Sequence, residues 1–218
     1  MNIKLLVFDF DGTLGDTRRN IVMTLQQTMQ EKGLAIADEE RCAATIGLTL
    51  EDCFRVLFPG MSAAEADECA GVYRRIFEVN RRKLSPQLFP HVRETFDCLR
   101  DAGMTIAIAS SRHSASLRDF LSDMGIEEYV AYVVGADNVS HPKPAPEPVV
   151  MILEALGVPA SETIVVGDMP VDVMMGRNAG TLTCGVSYGN ASREQLEASG
   201  ADYVIDDMSA LLDIVGLK

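Results

Sequence analysis

The 218-residue chain has no tryptophan and only three histidines, and it is poor in basic side chains: 19 Lys and Arg stand against 32 Asp and Glu. The net charge of -13 repels phosphate backbones and argues against general nucleic-acid binding. A small anionic substrate is not excluded, because a local metal or lysine can reverse the field. Five cysteines, Cys42, Cys53, Cys69, Cys98 and Cys184, are odd in number and never spaced Cys-x-x-Cys. That spacing supports neither a disulfide framework nor a zinc site and suits reduced thiols in a cytoplasmic protein. No run comes near the roughly 18 apolar residues of a membrane span. Met1 to Lys4 holds one basic residue and the apolar run after it stops at an aspartate, so no signal leader is expected. No Gly-x-Gly-x-x-Gly or P-loop pattern follows a strand, which disfavours a general nucleotide-binding or redox reading.

What is present is a 47% apolar chain, enough to bury a sizeable core. Short apolar runs alternate with helical periodicity. The runs are Ile3 to Phe8, Thr105 to Ala109, Tyr132 to Val134, Thr163 to Val166, Thr181 to Val186 and Tyr203 to Ile205. Most are apolar on both faces, as in parallel strands covered by helices on both sides. Helical patterns lie between them at Val92 to Ala102, Ser114 to Met124, Glu147 to Leu156, Asp172 to Ala179 and Ser192 to Ser199. This predicts a doubly wound, Rossmann-like α/β sheet. Residues 17 to 84 break the rhythm and read as wholly helical, with apolar stripes at Ile21, Val22, Leu25, Met29 and at Leu50, Phe54, Leu57, Phe58. Ser62 to Lys83 reads as one long amphipathic helix or a pair. The expected division is an α/β core of residues 1–15 and 86–218 and an inserted all-helical cap of residues 16–85. The cap would sit over the carboxyl ends of the strands, where open α/β sheets bind ligands.

Four segments carry the chemistry, three of them starting where an apolar run ends: Asp9-Phe10-Asp11-Gly12-Thr13, Ser110-Ser111-Arg112, the "HPKPAPEP" loop with Lys143, and "VVGDMPVD" with Asp168 and Asp172. Strand ends of a parallel sheet are neighbours, so the segments can share one pocket. Residues i and i+2 of an extended stretch point the same way, which aims Asp9 and Asp11 together. Each close pair of carboxylates costs about 4 kcal/mol at an effective dielectric near 20, so several stay ionised only around a cation. Oxygen donors without Cys point to Mg²⁺ rather than zinc. Lys143, the Ser110 hydroxyl and the Ser111 N–H suit a phosphoryl group. One carboxylate can attack phosphorus while its neighbour moves protons. The acid role needs an environment that raises the pKa, since roughly one free Asp in a thousand is protonated at pH 7. Taken singly, Asp9 and Asp11 read as a turn or helix cap, Ser110 as a cap for the helix near Ser114, Lys143 as a solvated lysine, and Asp168 and Asp172 as caps.

The four segments together, in this order and spacing, resemble the motifs of the haloacid dehalogenase-like hydrolases over essentially the whole chain. The resemblance implies Asp9 as nucleophile, Asp11 as general acid and base, and Ser110 and Lys143 as holders of the phosphoryl group. It implies Mg²⁺ held by Asp9, the Asp11 carbonyl and Asp168, with Asp172 supporting a metal-bound water or Lys143. Gly12, Thr13, Ser111 and Arg112 join Ser110 and Lys143 as candidate substrate contacts, and Arg112 on the surface is the equal alternative. Asp11 favours phosphate chemistry over dehalogenation. Gly12-Thr13 and Gly167-Asp168 favour a phosphatase over the family's phosphosugar mutases. "IGLTLEDCF", Ile46 to Phe54, is similar to the cap of phosphoglycolate phosphatases and their pyrophosphatase relatives. On that analogy Gly47, Thr49 and Arg55 shape specificity.

The expectation is therefore a Mg²⁺-dependent phosphatase acting on a small phosphorylated metabolite, as a monomer or homodimer, without nucleic-acid or membrane partners. An inorganic pyrophosphatase, a phosphosugar mutase and an inactive phosphate-binding relative are the alternatives. His91, His113 and His141 read as loop or surface residues. Arg74, Arg75, Arg81, Arg82 and Lys83 read as a solvated face of the cap, with an anionic substrate contact as the alternative.

Overall fold

The computed structural model of the chain describes residues 2–84 and 86–217. Ser85, at the expected return from cap to core, lies outside the described residues. Six strands form one parallel sheet: β1 (Leu5–Phe8), β4 (Thr105–Ala109), β5 (Val130–Val134), β6 (Thr163–Gly167), β7 (Leu182–Val186) and β8 (Tyr203–Ile205), in the order β5-β4-β1-β6-β7-β8. Leu5 of the central β1 is in register with Thr105 on one side and Thr163 on the other.

The inner strands β1, β4, β6 and β7 are apolar on both faces because both faces are covered, whereas β5 at the sheet edge leaves Ala131 and Tyr132 exposed. Leu6 and Phe8 belong to one core with Phe96 of α5 (Val92–Asp101) and Phe120 of α6 (Ser114–Asp123). Leu5 and Val7 face the other way, with Val149 and Ile152 of α7 (Glu147–Leu156) and Met175 of α8 (Pro170–Asn178). α7 ends on Gly157, whose φ of 65° suits a residue without Cβ. α9 (Arg193–Ala198) opens on Ser192, whose Oγ accepts from the Gln195 N–H, and α10 (Leu211–Ile214) packs with α5.

The inserted helices are α1 (Arg18–Glu31), α2 (Glu39–Ala43), α3 (Leu50–Leu57) and α4 (Ala63–Leu84). The stretch expected as one helix or two is a single 22-residue helix. α1 and α4 pack side by side, pinned where the buried Asn80 donates to Thr24 Oγ1 at 2.9 Å and Gln27 Oε1 at 2.8 Å. The apolar core is continuous from cap to sheet: Phe77 of α4 lies 6.0 Å from Phe120, and Phe120 lies 5.5 Å from Phe10.

Two strands go beyond what periodicity predicts. β2 (Gly15–Asp16) and β3 (Gln87–Leu88) pair antiparallel where the chain leaves and re-enters the core. The other differences are at strand ends, such as Val130 opening β5 and Leu182 opening β7. No helix of the described residues is long and apolar enough to cross a membrane.

Candidate active site

Asp9 follows β1 without a break, and its N–H donates to Val166 O at 2.8 Å. The ladder thus runs one residue past the strand and fixes Asp9 at the carboxyl edge of the sheet. The chain then turns, with the N–H groups of Leu14 and Gly15 both donating to Phe10 O at 3.0 and 2.9 Å. Gly12 takes φ 91° here, and a Cβ at that position would run into the Asp168 carboxylate and the Asn190 amide. Only glycine meets both demands. Ser110 follows β4, Asp168 follows β6, and Asp172 sits in the first turn of α8.

Two of these four positions, Asp9 and Asp172, meet at Lys143, which is 7% exposed. Its Nζ donates to Asp9 Oδ1 at 2.6 Å and to Asp172 Oδ1 at 2.7 Å. Asp172 also accepts the Met169 N–H through Oδ2 at 3.0 Å, so it serves as helix cap and lysine partner at once. Asp168 is held differently: Thr13 Oγ1 donates to Oδ1 at 3.1 Å, and the Asn190 N–H and Nδ2 both donate to Oδ2 at 2.8 Å. Burial raises the Asp9 pKa well above the carboxylate range; Lys143 opposes this, while Asp172, Asp168 and Asp11 add to it. Burial, with Asp172 beside it, pushes Asp168 up to about 7, against the hydrogen bonds from Asn190 and Thr13. Burial works against the Lys143 charge, but Asp172 and Asp9 outweigh it and raise its pKa.

One carboxylate oxygen from each of Asp9, Asp168 and Asp172 lies within 4.8 Å of the others, and all three residues are buried. Three crowded, buried acids, of which burial drives Asp9 and Asp168 toward the neutral form, make a site that a hard divalent cation would relieve. The donors are oxygens throughout, which fits Mg²⁺ and not a thiolate or imidazole metal. The Asp11 carboxylate stands apart from this trio. Arg112 grips it with two donors, Nη2 to Oδ1 at 2.5 Å and Nε to Oδ2 at 3.1 Å, and Thr17 Oγ1 donates to Oδ1 at 2.6 Å. The Arg112 guanidinium lies 4.7 Å from the ring centres of both Phe77 and Phe120. Arg112 is therefore neither solvated nor free. Burial disfavours its charge, and Asp11 more than compensates.

A cavity of about 440 Å³ opens between core and cap, with Asp9, Asp11, Ser110 and Arg112 on its floor and Thr45, Leu50, Tyr73 and Arg74 among its cap walls. The Ser110 hydroxyl accepts the Arg112 N–H at 3.2 Å and keeps its own proton for a further acceptor. Ser111 turns its hydroxyl to the cap, donating to Gly47 O at 2.6 Å. Gly12 and Thr13 are buried behind the floor, and Thr13 serves Asp168. Of the basic run on α4, Arg74 lines the cavity, while Arg81 pairs with Asp119 of α6 at 3.0 Å. His91 pairs with Asp207 and His141 with Glu147, both at 2.7 Å.

Sequence reasoning missed Thr17, Asn190 and Tyr188, whose hydroxyl donates to Thr13 O at 2.8 Å. Asn190 lies just beyond β7, at the same sheet edge as the other site residues, and that position was the available signal.

Residues 6–186 match the family model described as haloacid dehalogenase-like hydrolase. The chain is 35% identical over 216 residues to the pyrophosphatase PpaX of Bacillus velezensis, covering 99% of this chain and 98% of that one. It is 31% identical over 223 residues to the phosphoglycolate phosphatase of Vibrio parahaemolyticus, covering 100% and 98%. Its fold superposes on a haloacid dehalogenase-like hydrolase from Bacteroides fragilis with a TM-score of 0.90 at 25% identity, covering 96% of this chain and 99% of the other.

Proposed function

Since the chain belongs to the haloacid dehalogenase-like hydrolases, and its relatives are phosphatases, we propose that it is a Mg²⁺-dependent phosphatase of small phosphomonoesters working through Asp9. A sugar phosphate or phosphoglycolate is the first substrate to try. Inorganic pyrophosphate is a second reading, favoured by the identity with a relative named pyrophosphatase.

The observation that carries the proposal is the Lys143 bridge, Nζ to Asp9 at 2.6 Å and to Asp172 at 2.7 Å, beneath a cavity that Asp9 shares with Asp11 and Ser110. Lys143 holds one Asp9 oxygen and leaves the other to attack phosphorus. As the Asp9–phosphorus bond forms, the bond to the leaving oxygen breaks, and Asp11, in its protonated form and released from one of the two Arg112 donors, gives that oxygen a proton. Water then attacks the phosphorus of the acyl phosphate, Asp11 takes the proton back, and inorganic phosphate leaves with Asp9 restored. Ser110 and Lys143 donate to phosphoryl oxygens during both displacements. Asp9 and Asp168, with the Asp11 carbonyl, would hold Mg²⁺, which when bound neutralises the acids and the phosphoryl oxygens together. The cap excludes bulk water while the first displacement proceeds.

The test is phosphate release from p-nitrophenyl phosphate and a phosphometabolite panel, with Mg²⁺ and with chelator. Release should require Mg²⁺ and vanish in Asp9→Asn, and acid-quenched enzyme should carry one phosphoryl group on the peptide containing Asp9. Release surviving in Asp9→Asn would refute the nucleophile, and no release from the whole panel would favour a phosphate-binding protein. A phosphosugar mutase would instead need a bisphosphate activator and keep the phosphoryl group.

A further inference from the structure

We propose that the leaving group accepted here is an uncharged organic body, such as a sugar or polyol, rather than one bearing its own carboxylate or phosphate. This rests on the phosphatase reading and concerns only what is attached to the phosphoryl group.

The cations around the cavity are already matched to acids. Lys143 is held between Asp9 and Asp172, and Arg112 is spent on Asp11. On the cap side the cationic wall residue is Arg74, and its Nη2 already donates to Glu51 Oε1 at 2.8 Å. At the mouth, Glu78 and Asp119 line the cavity and share Arg81, at 3.2 and 3.0 Å, with Asp123 as a third acid at 3.6 Å. Each of these four cations thus has a carboxylate, and the mouth carries more acid than base. A second anionic group on the substrate would have to break an existing ion pair and then sit beside the freed carboxylate.

The rest of the cap wall offers apolar surface from Ile46, Leu48, Leu50, Tyr73 and Phe77. Among the described residues two arginine donors near the cavity are buried without a hydrogen-bond partner: Arg81 Nη1, which stays 3.6 Å from Asp123, and Arg74 Nε, which belongs to the lining itself. A buried donor left alone is costly, and a hydroxyl or carbonyl oxygen satisfies it without disturbing Glu51. The cavity of about 440 Å³ falls within the roughly 300–1,000 Å³ of small-molecule sites, and it suits a sugar-sized body better than a two-carbon acid.

Two measurements decide the matter. Wild-type kcat/KM with Mg²⁺ is compared for glucose 6-phosphate and glycerol 2-phosphate against phosphoglycolate and pyrophosphate. Binding of the same four compounds to the Asp9→Asn variant is measured by calorimetry, which reads preference without turnover. The neutral-bodied esters should lead by about tenfold or more in both. Glu51→Gln, which frees Arg74, should narrow that ratio in both. Phosphoglycolate or pyrophosphate binding as tightly as the sugar ester, or none of the four binding, overturns the inference. Preferential binding of the neutral esters without any turnover in the wild type would uphold it and instead sink the phosphatase reading.

Discussion

Arg112 and Asp11 meet through two donors and two acceptors, at 2.5 and 3.1 Å, with the arginine clasped between a cap phenylalanine and a core phenylalanine. The residue that orients the proposed proton donor is therefore itself held by both domains. A core side chain set after β4 thus touches a cap helix through Phe77 and Asp11 through its guanidinium.

Arg112→Lys keeps the charge but loses the planar fork and most of the ring contact. We expect kcat to fall about a hundredfold, within the usual span of a proton-transfer contribution, and to fall further with poorer leaving groups. Rates on a series of substituted phenyl phosphates check this. An equal loss across the series would separate Arg112 from proton transfer.

The buried acids predict a pH-dependent response to metal. In the cation-free chain Asp168 titrates near 7, against about 4 when unfolded, so the folded state holds its proton more tightly. Its contribution to stability is full below about pH 4 and is lost as pH rises toward about 7. Mg²⁺ should therefore raise Tm little at pH 5 and by several degrees at pH 8. Asp168→Asn should raise the metal-free Tm at pH 8 and abolish the Mg²⁺ gain. Thermal melts with Mg²⁺ and with chelator measure both, and an equal Mg²⁺ gain at the two pH values would contradict the account.

Gly12→Ala places a methyl group where the Asp168 carboxylate and the Asn190 amide already stand, at a positive φ. Strain of about 1–3 kcal/mol is expected, together with a loss of Mg²⁺ affinity, because Asp168 must move. Unfolding midpoints and Mg²⁺ titrations read the two effects separately, and a variant with unaltered Mg²⁺ affinity would show that the acids tolerate the shift.

Ser111→Ala removes the hydrogen bond to Gly47 O, a contact worth about 1 kcal/mol. The cap loop 45–49 should exchange its amides faster and KM should rise severalfold, with kcat little changed. A fall in kcat at constant KM would place Ser111 in the chemistry rather than in cap docking.

Much of the fold and the site was legible in the sequence, for a physical reason. The strands show because burial on both faces removes polar residues from them, as in β1, where all four residues are buried. The acids show because charge at the end of a buried run is costly and persists only where a partner or a reaction holds it. Lys143 shows through its place in a loop stiffened by Pro142, Pro144, Pro146 and Pro148. The role of Arg112 does not show, since its partners Asp11, Phe77 and Phe120 come from three separate parts of the chain. Asn190 is hidden by a polar loop with no periodicity. β2 and β3 are two residues each, too short to carry a pattern. The charge balance of the cavity emerges only when the pairs Arg74–Glu51 and Arg81–Asp119 are seen.

The ribbon formed by Gly15–Leu88 and Asp16–Gln87 has an evolutionary and engineering corollary. Departure and return occupy one doorway, so the material beyond it can lengthen or shrink without asking the sheet to rearrange, provided that a side chain in the place of Phe77 still covers Phe120 and Arg112. A graft of foreign helices between residues 16 and 87 should leave the acid trio and its lysine as they are, and selectivity becomes a property that can be transplanted.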